Sequence, residues 1–209
     1  MFEIVAATKN VGKVRELKEL FADLPLQLKS LNEFPNVFEP EETGATFAEN
    51  AVIKARSYAL QTQSWSLADD SGLEVDALGG APGVFSARYA GENASDQERL
   101  AKLLHELDKT QDRKRLARFV CAMAVSDEKG EIKILSEGVC TGKITLKPAG
   151  TNGFGYDPIF MPAGFEQTFG ELSSEIKQKI SHRVQAAEKI IAFLQGFYAA
   201  SLDQQVFRL

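Results

Sequence analysis

The chain has 209 residues, with 24 Lys and Arg against 29 Asp and Glu, a formal net charge of -5 and 44% hydrophobic residues. That length and apolar share suit one large α/β domain, or two small lobes sharing a cleft, and exclude a mostly disordered chain. The acidic balance excludes a broad basic surface for a nucleic-acid polymer; a small anion can still be held by a local nest of basic groups or a bridging divalent cation.

Residues Phe2 to Ala7 form a short apolar run, followed by Thr8-Lys9-Asn10-Val11-Gly12-Lys13, and Val14, Leu17, Phe21 and Leu24 then recur at helical spacing up to Pro25. The pattern predicts strand, loop, helix. Leu26 to Leu31 reads as a second strand and Asn32 to Gly44 as an acidic loop. Thr46 with Glu49 has capping-box spacing for a helix whose face carries Ala48, Ala51, Val52, Ala55 and Ala59. Trp65 to Asp69 reads as a short strand entering Asp70-Ser71-Gly72, and Leu73 to Leu78 as another strand. Gly79 to Gly83 is a loop, and Ser95-Asp96-Gln97-Glu98 opens a leucine-bearing helix. Arg115 to Asp127 and Glu131 to Leu146 read as an antiparallel hairpin, Pro148 to Asp157 as a glycine-rich loop, and the end is helical from about Ser181 to Tyr198. This order predicts α/β with a mixed sheet rather than a regularly alternating parallel one.

Two cysteines, Cys121 and Cys140, and two histidines, His105 and His182, are too few for a zinc cluster, so oxygen must hold any metal. The start lacks the flank and apolar run of a signal peptide, and no window reaches the ~18 apolar residues that span a bilayer. The expectation is a cytoplasmic protein without membrane contact.

Five groups of residues can carry chemistry. Thr8, Asn10 and Lys13 lie between a strand and a helix, where unpaired N–H groups suit phosphate, although Asn10 or Thr8 merely capping the helix explains them equally. Asp69 and Asp70 end an apolar strand; neighbouring side chains there point to opposite faces, so one can enter a cleft as a Mg²⁺ ligand or base, or the whole can be a plain Asp-Ser-Gly turn. Among Glu39, Glu41 and Glu42, one can add a second metal oxygen if their loop folds over Asp70. Asn50 and Lys54 share a helix face. Lys54 can meet phosphate, and plain surface exposure is the other reading. Gly153-Phe154-Gly155-Tyr156-Asp157-Pro158 offers close backbone approach, flat rings for stacking a base and an acceptor in Asp157, or two aromatics folded into the core. Lys177, His182 and Arg183 supply donors suited to a purine keto group, or an exposed helix start capped by Ser181.

In order and wording these pieces resemble the Ham1-like inosine triphosphate pyrophosphatases. The matching segments are Thr8-x-Asn10-x-x-Lys13, Glu41 to Ala55, Ala68 to Leu73, Gly79 to Arg88, Gly153 to Pro158 and Ser181-His182-Arg183, within about residues 3 to 195. The resemblance implies a single domain over 1–209: a long mixed sheet flanked by helices, in two lobes with a cleft, usually as a homodimer. It implies Mg²⁺-dependent hydrolysis of ITP, dITP and XTP to the monophosphate and pyrophosphate, a house-cleaning of the nucleotide pool. Carried over by position, Thr8, Asn10, Lys13 and Lys54 are phosphate binders, and Asp70 is the general base and a metal ligand. Glu42 is the second metal residue, with Glu41 as its alternative. Ser71, Phe154, Gly155, Tyr156, Asp157, Lys177, His182 and Arg183 form the nucleoside pocket. Lys9 stands where the family often has glycine, and the tail 196–209 runs past the family's usual end, with packing or a dimer contact as its expected use. Two rivals are a pyrophosphatase for modified pyrimidine or ordinary nucleotides and a nucleotide sensor without catalysis.

Overall fold

Alternation along the strands decides which face each side chain enters. In β1 (Phe2–Ala6), Ile4 and Ala6 face one way and Val5 the other, and all three are fully buried. A strand apolar on both faces belongs in the middle of a sheet, and there the computed structural model, which describes residues 2–206, puts it. The sheet has six strands in the order β2-β1-β3-β4-β5-β6. β1 pairs in parallel with β2 (Leu26–Ser30) and β3 (Trp65–Val75), while β4 (Leu116–Ser126), β5 (Ile132–Ile144) and β6 (Phe160–Pro162) continue antiparallel from β3. Helices α1 (Val11–Leu20) and α2 (Phe47–Thr62) make the two parallel crossovers. The mixed sheet flanked by helices agrees with the sequence reading.

The two faces are covered differently. Helix α2 lays Ala51 and Ala55 against Val5, Ala68, Val120, Ala122 and Ala124, small residues that let the helix sit close to the strands. Its start is fixed as expected: Thr46 Oγ1 accepts the Glu49 N–H and the Glu49 carboxylate accepts the Thr46 N–H. On the other face β3 presents Leu67, Asp69, Ser71, Leu73 and Val75 in turn. Leu67 joins Cys121, Met123 and Val125 of β4 beneath α1 and the long C-terminal helix α5 (His182–Val206). Leu73 and Val75 join Ala117 and Phe119 beneath α3 (Asp96–Asp108) and the 156–172 segment. Asp69 and Ser71 are the polar break between these two apolar clusters.

The structure corrects the sequence reading at several points. Residues 65–75 are one strand rather than two, and Asp70-Ser71-Gly72 is extended chain paired with β4 rather than a turn. Gly72 serves close approach: a Cβ there would lie 2.3 Å from Ser86 Oγ. Residues 76–78 form a short 3-10 turn instead of ending a strand. Helix α1 stops at Leu20, and Phe21 and Leu24 are buried in the turn that follows. Strand β6 and helix α4 (Ser174–Ile180) were not anticipated, being only three and seven residues long. Helix α5 runs on to Val206, so 196–206 is helix rather than tail; residues 207–209 lie outside the described residues. Phe197 packs its ring on Phe2 and Trp65, at 5.8 and 4.7 Å between centroids, which ties the helix to the start of the sheet. Among the described residues no helix is long and apolar enough to cross a membrane.

Candidate active-site cleft

The last link between β1 and β3 is the Ala7 N–H to Leu67 C=O hydrogen bond at 2.8 Å; beyond it β3 continues paired with β4. Asp69 to Gly72 therefore lie past the end of β1, where its chain turns into the Thr8 to Asn10 loop. A cleft of about 250 Å³ opens here. Its lining includes Thr8, Asn10, Lys13, Glu42, Lys54, Asp70, Ser71, Phe154, Gly155, Tyr156, Asp157, Lys177, His182 and Arg183, which brings the expected site residues together. Glu41 is exposed outside that lining, whereas Glu42 lies within it. Both cysteines are buried and free, and His105 is exposed on α3.

At one end charges crowd together. Asn10 caps α1 by accepting the Lys13 N–H at 3.0 Å, with Thr8 Oγ1 accepting the Asn10 N–H at 3.1 Å, so both cap while still lining the cleft. Asn50 and Lys54 are buried rather than exposed, because the loop before α2 folds over them; Asn50 Oδ1 accepts the Gly44 N–H at 2.8 Å. That fold carries Glu42 to Lys54, 3.1 Å away, with Arg88 at 3.6 Å on its other oxygen. Lys54 Nζ donates to Asp70 Oδ1 at 2.5 Å and to the Asp69 carbonyl at 3.0 Å. The second Asp70 oxygen, Oδ2, is buried and has no hydrogen-bond partner.

The two adjacent aspartates are driven in opposite directions. Burial pushes the Asp70 carboxyl above the ordinary carboxylate range, more than Lys54 and Lys13 pull it down. Burial acts on Asp69 too, but Arg183 and Lys13 outweigh it and hold that carboxyl well below the ordinary range. One is a structural anion, the other a carboxylate whose charge is incompletely compensated.

At the other end the groups are tied. Arg183 is buried, and its guanidinium donates to Asp69 Oδ2 at 2.7 Å, to Ser71 Oγ at 2.9 Å and to Glu16. Lys177 donates to Asp157 Oδ2 at 2.6 Å and Glu16 Oε1 at 2.9 Å, while Asp157 also accepts the Phe154 N–H at 2.8 Å. Phe154 is half-buried, with the Lys177 ammonium 5.0 Å and the Arg183 guanidinium 5.6 Å from its ring centre. Gly12 makes room for it, since a Cβ there would come within 2.6 Å of the ring. Tyr156 is a core residue instead, its hydroxyl donating to the Ser86 carbonyl at 2.9 Å. His182 is buried and stacked on Phe119 at 4.7 Å, with Nδ1 unpartnered. Burial, aided by the charges of Arg183 and Lys177, pushes its imidazole well below the ordinary range, so it stays neutral. The exposed reading of His182 and Arg183 is thus overturned: α4 packs ahead of α5 and α5 seats its first turn against β5.

Sequence reasoning missed Glu16, the network role of Asp69, and the pair Asp96 and Arg99. Glu16 follows Lys13 by three residues on α1, a spacing that puts both on one face and was the available signal. Asp96 accepts the Gly155 N–H at 2.8 Å and Arg99 donates to the Ala87 carbonyl at 2.8 Å, so the start of α3 braces two loops of the cleft. Nothing local in the sequence marks that pair beyond its place at a helix start.

No cluster of three or more His, Cys, Asp or Glu that could hold a metal occurs among the described residues. Glu42 and Asp70, with the orphaned Asp70 Oδ2, still fit Mg²⁺, which is commonly held by one or two carboxylates while substrate phosphates and water complete its shell.

The chain as a whole is similar to known proteins. The model of the Ham1 family matches residues 4–193. The dITP/XTP pyrophosphatase of Bacillus anthracis is 50% identical over 191 residues, 91% of this chain and 95% of that one. That of Bacillus licheniformis is 51% identical over 194 residues, 93% and 98% of the two chains. The solved structure of a HAM1 protein from Coxiella burnetii superposes with a TM-score of 0.86 at 46% identity, covering 94% of this chain and all of that one.

Proposed function

Because the chain belongs to the Ham1 family, we propose that it hydrolyses non-standard purine nucleoside triphosphates (ITP, dITP and XTP) to the monophosphate and pyrophosphate. The observation that carries this reading is the cleft itself: charges crowded around Asp70 at one end and, at the other, the Phe154 ring and the neutral His182 set in a frame of paired charges. A triphosphate brings several negative charges beside Asp70 and Glu42, so cations must offset the repulsion. Mg²⁺ held by Asp70 and Glu42 supplies that neutralisation when bound.

The chain's own residues do the rest. Asp70, with an unpartnered oxygen and a raised proton affinity, positions the attacking water and takes its proton. Lys13 and Lys54 face the phosphate chain and stabilise the leaving pyrophosphate, with Thr8 and Asn10 at the α1 N-terminus. Phe154 offers its ring to the purine. A neutral imidazole carries one N–H, and His182 can give it to a 6-keto oxygen. An adenine amino group would leave that donor unpaired, at about 1–3 kcal/mol. Arg183, already bound to Asp69, Glu16 and Ser71, holds the pocket's frame.

The family resemblance also supports a Mg²⁺-dependent, cytoplasmic homodimer acting in nucleotide-pool house-cleaning. Light scattering on the purified protein tests the dimer. The activity is tested by resolving the products of ITP with Mg²⁺. IMP and pyrophosphate in equal amounts are expected, whereas IDP with phosphate, or no reaction, contradicts the reading.

A further inference from the structure

We propose that Lys54 competes with a divalent cation for Glu42 and Asp70, and that it turns to the triphosphate when the cation takes them; this rests on the activity proposed above. An ammonium has three N–H donors. Those of Lys54 have three acceptors within reach: Asp70 Oδ1 at 2.5 Å, the Asp69 carbonyl at 3.0 Å and Glu42 Oε1 at 3.1 Å. The side chain is buried, so water has little access to it. As it stands, Lys54 has no donor left for a phosphate, and the two carboxylates that fit a metal are both turned to an ammonium.

The neighbouring cation does not share this duty. Lys13 Nζ lies 2.7 Å from Asp69 Oδ1 and 3.2 Å from its carbonyl, and Arg88 reaches Glu42 at 3.6 Å; among the described residues Lys54 is the cation in contact with both Glu42 and Asp70. The buried Asp70 carboxylate and the part-buried Glu42 carboxylate, both so close to one lysine, repel each other without a cation among them. A metal on Glu42 and Asp70 removes both the need for Lys54 there and its acceptors. Lys54 then keeps the Asp69 carbonyl and has two donors free, beside the place where the phosphate chain arrives. The exchange makes lysine and metal competitors before a triphosphate binds and allies once one is present.

The test is calorimetric titration of Mn²⁺ into the nucleotide-free, full-length protein and its Lys54→Met and Lys54→Arg variants. Loss of the competing charge in Lys54→Met should tighten Mn²⁺ binding about tenfold or more, while Lys54→Arg, which keeps the charge, stays near the wild type. No gain in Lys54→Met, including no detectable binding to either protein, overturns the proposal. Should Lys54→Met fail to fold, the wild type carries the test through the NMR signals of its lysine ammonium groups. Mg²⁺ should shift the Lys54 signal and leave that of Lys177, which is tied to Asp157 and Glu16, unmoved. A Lys54 signal that stays put at saturating Mg²⁺ contradicts the exchange. Neither measurement contains nucleotide, so failure here is separate from failure of ITP to be hydrolysed.

Discussion

The two ends of the cleft are built from similar residue types and behave differently. Around Asp70, Lys54 bridges Asp70 and Glu42, and one carboxylate oxygen has no partner at all. Around Arg183, Asp69, Glu16, Lys177 and Asp157 each meet an opposite charge at hydrogen-bond distance, and His182 lies flat on Phe119. The lesson is one of pairing. The end proposed for the base is a closed network of paired charges, whereas the end proposed for the phosphates keeps a carboxylate oxygen without a partner, and there charges change partners in the exchange proposed above.

If that contrast is right, equal-looking substitutions at the two ends should fail differently. Asp70→Asn should lower ITP turnover by about 10²- to 10⁴-fold, the usual loss for a general base, while the thermal midpoint holds or rises because a poorly compensated buried charge is gone. Near-normal turnover would remove Asp70 from its role. Arg183→Ala should instead show in unfolding, with about 3–5 kcal/mol lost in a denaturant titration, since it leaves the buried Asp69 and the part-buried Glu16 each one charged partner short. A loss under 1 kcal/mol would mean that the network is not rigid.

Smaller effects sharpen the picture within the base end. His182→Ala should reduce the preference for ITP over ATP, measured as a ratio of kcat/KM values, by roughly ten- to a hundredfold, mainly by losing ITP. An unchanged ratio would place base choice elsewhere. The same residue sets the pH response. Folded His182 resists protonation while the unfolded chain takes up a proton from about pH 6.5 downward, so stability should fall by up to about 1.4 kcal/mol per pH unit on acidification. Glu16 adds to this further down: burial raises its carboxyl, but Arg183 and Lys177 outweigh that and hold it lower, so its contribution is complete above about pH 4.5 and is lost below. Unfolding free energies measured from pH 7 to 5 should show the first slope in the wild type and not in His182→Ala.

Legibility in the sequence followed the range of the interaction. The hairpin of β4 and β5, the Thr46 cap and the strand-loop-helix around Asn10 are local patterns, and they could be read directly. The continuous β3 was missed because Asp70-Ser71-Gly72 has turn chemistry, and only pairing with β4 and the close approach of Ser86 keep it extended. The residues that line the cleft were recoverable by type and family wording, including Lys177 and His182 far along the chain. Their partners were not: Glu16 lies 167 positions from Arg183, and Asp69 lies 114 from it. A sequence shows which residues can carry charge, and the fold decides which of those charges are already spent on one another.

The central claim, a cleft that takes deaminated purine triphosphates, is tested most directly by pyrophosphate release from a panel with Mg²⁺. The panel comprises ITP, dITP and XTP beside ATP, GTP, CTP, UTP and dUTP. The account predicts kcat/KM values for the first three at least about tenfold above ATP, from the unpaired donor that adenine would leave. Equal rates across the panel, preference for a pyrimidine, or binding without pyrophosphate release would contradict it.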